Sequence, residues 1–263
     1  MCLLTFLPAG VLPDVAALWH GTQLNGDGHG FAIVDGDRLV VRRGMDAEQV
    51  LEEFVVARHR HPDGPALFHS RLGTHGRHGV DNCHPFPVGG DQRTVLAHNG
   101  ILPATVRPAR GDARSDTRIA AEDFLPAFGP LRLRRTRLQL ERWMTRHNKM
   151  VILTVDRRFK HRSYILNEKS GVWDGGIWYS NDGYLEPPPR WSHASPCDTA
   201  PDRRPAPAGR CERCGFVLDP VADACPDCGW CLDCGRTPPD CWCYAPAALD
   251  SWSAWSPLRD RSP

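Results

Sequence analysis

The 263-residue chain has no apolar run of 18 residues, so nothing in it reads as a membrane span. Its apolar start, Met1-Cys2-Leu3-Leu4-Thr5-Phe6, lacks a basic stretch and meets Pro8 and Gly10 early, which argues against a secretory leader. There is no His-x-x-x-His pair either. Seven of the twelve histidines fall between His59 and His98, but their spacing fits no helical metal motif, and His75-Gly-Arg-His78-Gly reads as loop. Nor are the eleven cysteines spread as a disulfide scaffold: eight crowd into residues 211–243 in zinc-type spacing, which favours a reducing, cytoplasmic setting. With 41% hydrophobic residues there is enough chain for one sizeable core and a small appendage.

Net charge is also nearly absent, at +1, yet charge is unevenly placed. Between residues 130 and 162 stand eleven Lys/Arg against Glu141 and Asp156. Two readings of this patch stay open. It is a solvated helix face and hairpin, or it grips nucleic acid together with the cysteine-rich segment. No aromatic-interleaved recognition motif accompanies it.

Cys2 is the first chemically telling residue. Removing Met1 would leave a thiol and a free α-amine on one residue, a complete nucleophile-plus-base unit. The amine's reference pKa of roughly 7.7 to 8.0 lies close to a thiol's roughly 8.5, so the amine can take the thiol proton directly or through one water. The alternative is a small buried hydrophobe in a first strand.

Downstream come His69-Ser70-Arg71-Leu72-Gly73-Thr74-His75-Gly76, Asn82-Cys83-His84-Pro85-Phe86, His98-Asn99-Gly100 and Ser115-Asp116-Thr117. With Met1-Cys2 and the turn-like Asn25-Gly26-Asp27-Gly28-His29-Gly30, this ordered series resembles the class II glutamine amidotransferases, a family of N-terminal-nucleophile (Ntn) hydrolases. The resemblance covers about residues 1 to 185. It departs from the family start at residue 3, where Leu3 stands in place of the usual glycine.

The resemblance implies a role for each motif, and residue chemistry supports it. Releasing ammonia from glutamine needs attack on a side-chain amide, passage through an oxyanion and hydrolysis of a thioester. Arg71 offers a planar fork for glutamine's carboxylate, and Asp116 a charge for its ammonium. Thr74 and His75 are implied to complete the pocket. Asn99 brings an amide donor and Gly100 an unobstructed backbone N–H, the implied oxyanion hole. Asn99-Gly100 also reads as a type I′ hairpin turn, and Asp116 as the first residue of a helix capped by Ser115.

The fold class expected is α+β. Phe31–Val34 and Leu39–Val41 flank Asp35-Gly36-Asp37 as a hairpin. Asp46 with Gln49 starts a helix that buries Ala47, Val50, Leu51, Phe54 and Val55. Residues 151–155, 163–166 and 176–180 read as later strands. The resemblance implies a four-layer αββα Ntn sandwich over residues 1–186.

Residues 187–210, with seven prolines in 24 positions, form a linker. Beyond it, Cys211, Cys214, Cys225 and Cys228 lie in two Cys-x-x-Cys-Gly knuckles, and Cys231, Cys234, Cys241 and Cys243 offer four more sulfurs. Residues 211–244 are thus expected to form a small zinc ribbon holding about two structural zinc ions, with the pairing among the eight open. Residues 245–263 are a tail, and Cys83 and Cys197 have no assigned part.

Three functions follow as expectations. The first is release of ammonia from glutamine for an acceptor, and since no acceptor domain is visible, a partner protein would be needed. The second is hydrolysis of a γ-glutamyl amide in a small molecule. The third is a zinc-ribbon adaptor for nucleic acid or protein on an inactive Ntn scaffold.

Overall fold

The structure is a computed structural model that describes residues 2–73 and 76–185; Met1, Thr74, His75, the linker and all eight zinc-type cysteines lie outside the described residues. The strands are β1 (Leu3–Leu7), β2 (His29–Asp35), β3 (Arg38–Gly44), β4 (Ala66–Ser70), β5 (Phe86–Val88), β6 (Asp91–Asn99), β7 (Lys149–Thr154), β8 (Ser163–Leu166), β9 (Val172–Asp174) and β10 (Ile177–Tyr179). Helices α1 (Val15–Leu24), α2 (Ala47–Arg60), α3 (Asp116–Ile119), α4 (Leu125–Phe128) and α5 (Arg134–Met144) lie between them. Two antiparallel sheets result, ordered β3-β2-β4-β1-β10-β9 and β5-β6-β7-β8.

Period-two alternation explains how the sheets stack. On β1, Leu3 and Leu7 join a core with Ala17 and Leu18 of α1 and Val50, Leu51 and Phe54 of α2. The alternate residues Leu4 and Phe6 instead meet Val95, Ala97, Val151 and Leu153 of the second sheet. Leu96, Met150 and Ile152 then face the other way, toward Ala120, Leu125, Leu140 and Met144. Strands buried on both faces are unusual for antiparallel sheets and follow from enclosure between two helical layers. The architecture is α+β, layered helix, sheet, sheet, helix, and compatible with the sandwich expected.

Local signals hold where expected. β2 and β3 form the hairpin, with Ile33 opposite Val40 and Gly36 at φ +55 in the first turn position, where a positive φ is required. Asp46 accepts the Gln49 N–H at 3.0 Å and caps α2, although Gln49 turns to Glu53 rather than closing a capping box. The helix from Asp116 is irregular. Ala120–Phe124 is π-helical between α3 and α4, just ahead of Pro126, which has no N–H to give.

One core residue escaped the hydrophobic pattern altogether. Arg58 on α2 is fully buried, and its guanidinium donates to the carbonyls of Pro8, Val11, His61 and Gly64. Four backbone acceptors satisfy the charge without a carboxylate and pin the loop before α1 to the loop before β4.

The basic stretch is partly spent on internal pairing. Arg157 and Arg162 pair with Asp37, Arg158 with Asp156, and Arg137 lies over the Tyr164 ring at 3.8 Å. Arg134, Arg135 and Arg142 stay exposed along α5. No described helix is long and apolar enough to cross a membrane.

Candidate active site

Strand register brings the site together. β1 pairs with β4 so that Leu3 lies opposite Ser70, which leaves Cys2 and Arg71 one residue beyond the same end of the sheet. The Asn25–Gly30 segment closes over that end. Asp27 N–H donates to the Arg71 carbonyl at 2.9 Å and Arg71 N–H to the Gly28 carbonyl at 2.8 Å. The Asp27 carboxylate accepts the Gly73 N–H at 2.7 Å and lies 3.2 Å from His78. A Cβ on Gly73 would touch the Arg71 guanidinium at 3.0 Å, so glycine lets the chain lie against that charge. Arg71 itself is 2% exposed.

From the second sheet, β6 ends at Asn99 and delivers Gly100. Cys2, Arg71, Leu72, His84, Gly100 and Asp116 line one small cavity of about 20 Å³, room for about one water molecule. A larger groove of about 800 Å³ lies between β3 and α2, but its charged walls, among them Arg38, Arg42 and Glu53, contain no Cys, Ser, Thr or Lys.

The Cys2 thiol is held by backbone. Leu72 N–H donates to Sγ at 3.3 Å, and the thiol donates to the Leu72 carbonyl at 3.4 Å. Burial pushes this thiol up, offset in part by the Leu72 N–H and the Arg71 charge. A raised thiol needs a base. The Cys2 carbonyl accepts from Asn181 Nδ2 at 2.8 Å, so both sides of the residue are anchored.

Asp116 is 6% exposed and opens α3, where Ser115 Oγ accepts the Arg118 N–H at 3.2 Å as cap. Its carboxylate accepts from Leu102 N–H at 2.9 Å and Thr117 N–H at 2.7 Å. Each oxygen keeps lone-pair capacity for a further donor. Behind it, His98 lies between Thr117 Oγ1 at 3.0 Å and Asn148 Oδ1 at 2.9 Å. Asn148 uses its amide group on the Met144 carbonyl, so its oxygen faces His98 and the proton is assigned to His98 Nε2. Thr117 then donates to Nδ1. Burial holds His98 below its ordinary pKa despite nearby Asp116.

Asn99 and Gly100, the two residues the resemblance implies as oxyanion donors, are placed differently. Gly100, at φ +135, lines the cavity, and a Cβ there would collide with Asn148. Asn99 lies behind it, 1% exposed, with Nδ2 placed 2.8 Å from Ser180 Oγ. The hairpin-turn reading of Asn99-Gly100 is corrected: β6 pairs with β5 before it and with β7, which starts at Lys149, so the chain does not turn back at Gly100.

Several residues reached the site without being singled out. Asn82, 3% exposed, donates to the carbonyls of Arg77 at 3.0 Å and Ala113 at 2.7 Å, and accepts the Ser115 N–H at 2.8 Å. It thereby fixes the loop that carries Asp116. His84 lines the cavity with neither ring nitrogen partnered, its ring centroid 3.9 Å from that of His69 at a tilt of 42°, and burial holds it well below its ordinary pKa. Cys83 is buried against Gly44, Met45 and Gly79. Asn82 and His84 belong to a motif the sequence displayed, whereas Ser180 and Asn181 carried no signal beyond the end of a strand. Thr74 and His75 lie outside the described residues. Among the described residues no cluster of His, Cys, Asp or Glu is arranged to hold a metal.

No family profile matches the sequence, and no curated protein matches it. In structure the chain is similar to glutamine phosphoribosylpyrophosphate amidotransferase from B. subtilis complexed with ADP and GMP, at 16% identity and TM-score 0.45 over 68% of this chain and 41% of that one. It is also similar to a protein described as the allosteric regulatory enzyme of purine biosynthesis, at 16% identity and TM-score 0.44 over 68% and 41%. A third likeness is to a glutamine aminotransferase class-II domain protein from Silicibacter pomeroyi, at 17% identity and TM-score 0.30 over 59% and 73%. The match spans only 41% of the length of each of the first two chains.

Proposed function

We propose that the chain is a glutamine amidotransferase-type amide hydrolase with Cys2 as its N-terminal nucleophile. The observation that supports this most is the convergence of Cys2, Arg71, Gly100 and Asp116 on one cavity from four separate stretches of sequence. Arg71 binds the substrate carboxylate through its fork, and Asp116 accepts the ammonium on its remaining lone pairs.

With Met1 removed, the Cys2 α-amine takes the thiol proton. Sulfur attacks the γ-carboxamide carbon, and the carbonyl oxygen becomes an oxyanion held by the Gly100 N–H and the Asn99 amide. The oxyanion collapses, the C–N bond breaks, and the nitrogen leaves as ammonia with the proton returned from the Cys2 ammonium. Water then hydrolyses the thioester, giving glutamate and the free thiol. The cavity holds about one water, so glutamine displaces part of the rim, where Leu72 is 39% exposed.

Ammonia passes to an acceptor carried by a partner protein. The cysteine-rich segment, as a zinc ribbon joined by the proline-rich linker, serves that partner or nucleic acid rather than the chemistry, and the protein works in the cytoplasm. The test is to incubate the purified full chain with glutamine and a panel of γ-glutamyl amides and measure ammonia or amine release. Release from glutamine supports the reading. Turnover of other γ-glutamyl amides alone would make the chain a small-molecule amide hydrolase, and no turnover with measurable nucleic-acid binding would make it an adaptor.

A further inference from the structure

Ser180 Oγ stands at the meeting point of the two sheets and the first strand. It accepts the Leu4 N–H at 2.9 Å, two residues from Cys2, and touches the Asn99 side chain at 2.8 Å, 81 residues away in sequence. The Ser180 N–H donates to the Leu4 carbonyl at 2.9 Å, so the residue is fixed on both sides. Ser180 is 0% exposed and Asn99 1%.

The hydrogen-bond count at this junction does not close with Asn99 Nδ2 against Ser180. In that orientation Asn99 Oδ1 is buried without a partner, and the Ser180 hydroxyl proton has no acceptor among the described residues. A buried polar group left unpaired is destabilising because it has lost water without gaining a partner. The two ends of an amide are close to isosteric, so the network decides which is which. Exchanging them lets the Ser180 hydroxyl, already accepting from Leu4, donate to Asn99 Oδ1. The NH₂ group then occupies the place of the orphaned oxygen, as an unpaired donor. In the reaction proposed above, the oxyanion requires a donor from Asn99 and would be repelled by a carbonyl oxygen.

We propose that Ser180 is a positioning residue: its hydroxyl holds the Asn99 carbonyl and so keeps the Asn99 amide donor turned toward the reacting amide. The step from donor to oxyanion rests on the function proposed above, whereas the orientation of the amide does not. Ser180 itself touches neither substrate nor thiol.

Neutron diffraction of the deuterium-exchanged full chain tests the orientation by itself. Density for the Ser180 deuteron aimed at the Asn99 carbonyl supports the proposal, and an Asn99 ND₂ group aimed at Ser180 overturns it. A mutant cycle with L-glutamine tests the consequence. Ser180→Ala should lower kcat about tenfold, on the scale of groups that orient an active-site ligand, with KM little changed. In an Asn99→Ala background the same change should have almost no further effect on kcat, because there is no amide left to orient. A purely structural role through Leu4 would cost as much in both backgrounds, and that outcome overturns the proposal. If Ser180→Ala does not fold, Ser180→Cys, which keeps a weak donor, takes its place in the cycle with a smaller expected loss. An Asn99→Ala chain as active as wild type would sink the oxyanion assignment instead, leaving the neutron result to stand on its own.

Discussion

The Cys2 thiol and Leu72 form a reciprocal pair, with the Leu72 N–H 3.3 Å from Sγ and the Leu72 carbonyl receiving the thiol at 3.4 Å. Because Leu72 follows Arg71, this contact couples the proposed nucleophile to the residue proposed to capture substrate. It also explains how a short segment before β1 is held still: Asn181 anchors the Cys2 carbonyl and Leu72 the side chain.

Cys2→Ala should abolish glutamine hydrolysis and labelling by an electrophilic glutamine analogue without unfolding the chain. Active protein should begin at Cys2 by intact mass, since the proposed base exists only after Met1 is gone. Full activity in a chain that retains Met1 would remove the amine from the mechanism.

Arg71 and Asn99 should fail in different ways. Arg71→Lys keeps charge but loses the fork, so KM for glutamine should rise with kcat less affected. Asn99→Ala deletes a donor used as charge develops, and kcat should fall by about 10² or more. Steady-state kinetics separates the two, and equal small effects on both parameters would contradict the assignments.

Asn82→Ala removes three hydrogen bonds, to the Arg77 and Ala113 carbonyls and from the Ser115 N–H, that fix the loop carrying Asp116. At about 1 kcal/mol net for each bond, the expected loss is about 3 kcal/mol in denaturant unfolding. With the Asp116 loop loosened, KM for glutamine should rise by roughly tenfold while kcat changes less. An unchanged unfolding midpoint would show that the loop is held by other means.

Stability should fall on mild acidification. Burial lowers His69 to about 3 and also lowers His84 and His98, so all three are neutral in the folded chain. Unfolded histidines titrate near about 6.5, so below that pH the unfolded chain binds protons the folded chain refuses. Each such histidine therefore removes up to about 1.4 kcal/mol per pH unit as pH drops from about 6.5 toward its folded value. Urea midpoints at pH 7 and pH 5 measure this, in a range where the paired carboxylates, such as Asp156 at about 2, stay ionised. His69→Gln should show a shallower dependence.

Metal analysis addresses residues 211–243. The full chain should contain about two zinc ions. A chain ending near Pro189 should fold, contain none and still hydrolyse glutamine. Zinc near zero in the full chain would favour disulfides, and loss of activity on truncation would give the segment a part in building the site.

Much of the fold was legible because its signals are local. Apolar runs flanking Asp35-Gly36-Asp37 marked the early hairpin, apolar runs marked the strands near residues 151–155 and 163–166, and Asp46 and Ser115 marked helix starts through capping that needs only three residues. The π-helical stretch Ala120–Phe124, which packs against β5 just ahead of Pro126, carried no such local signal. Arg58 was invisible for a related reason. Its acceptors are backbone carbonyls of two loops, which no residue pattern encodes.

Of the site residues that the motif resemblance pointed to, Cys2, Arg71, Thr74, His75, Asn99, Gly100 and Asp116, the cavity is lined by Cys2, Arg71, Gly100 and Asp116, whose chemistry is written in their side chains or in the lack of one. Only the tertiary structure decided that they share a cavity, that Asn99 stands behind Gly100 instead of turning a hairpin, and that Ser180 and Asn82 hold the donors and loops in place. The contacts of Asn82 with Ser115 and of Asn99 with Ser180 join residues 33 and 81 positions apart. They are set by how two twisted sheets close on one another, and the hydrophobic period specifies which face is buried without specifying which polar groups meet at its edge.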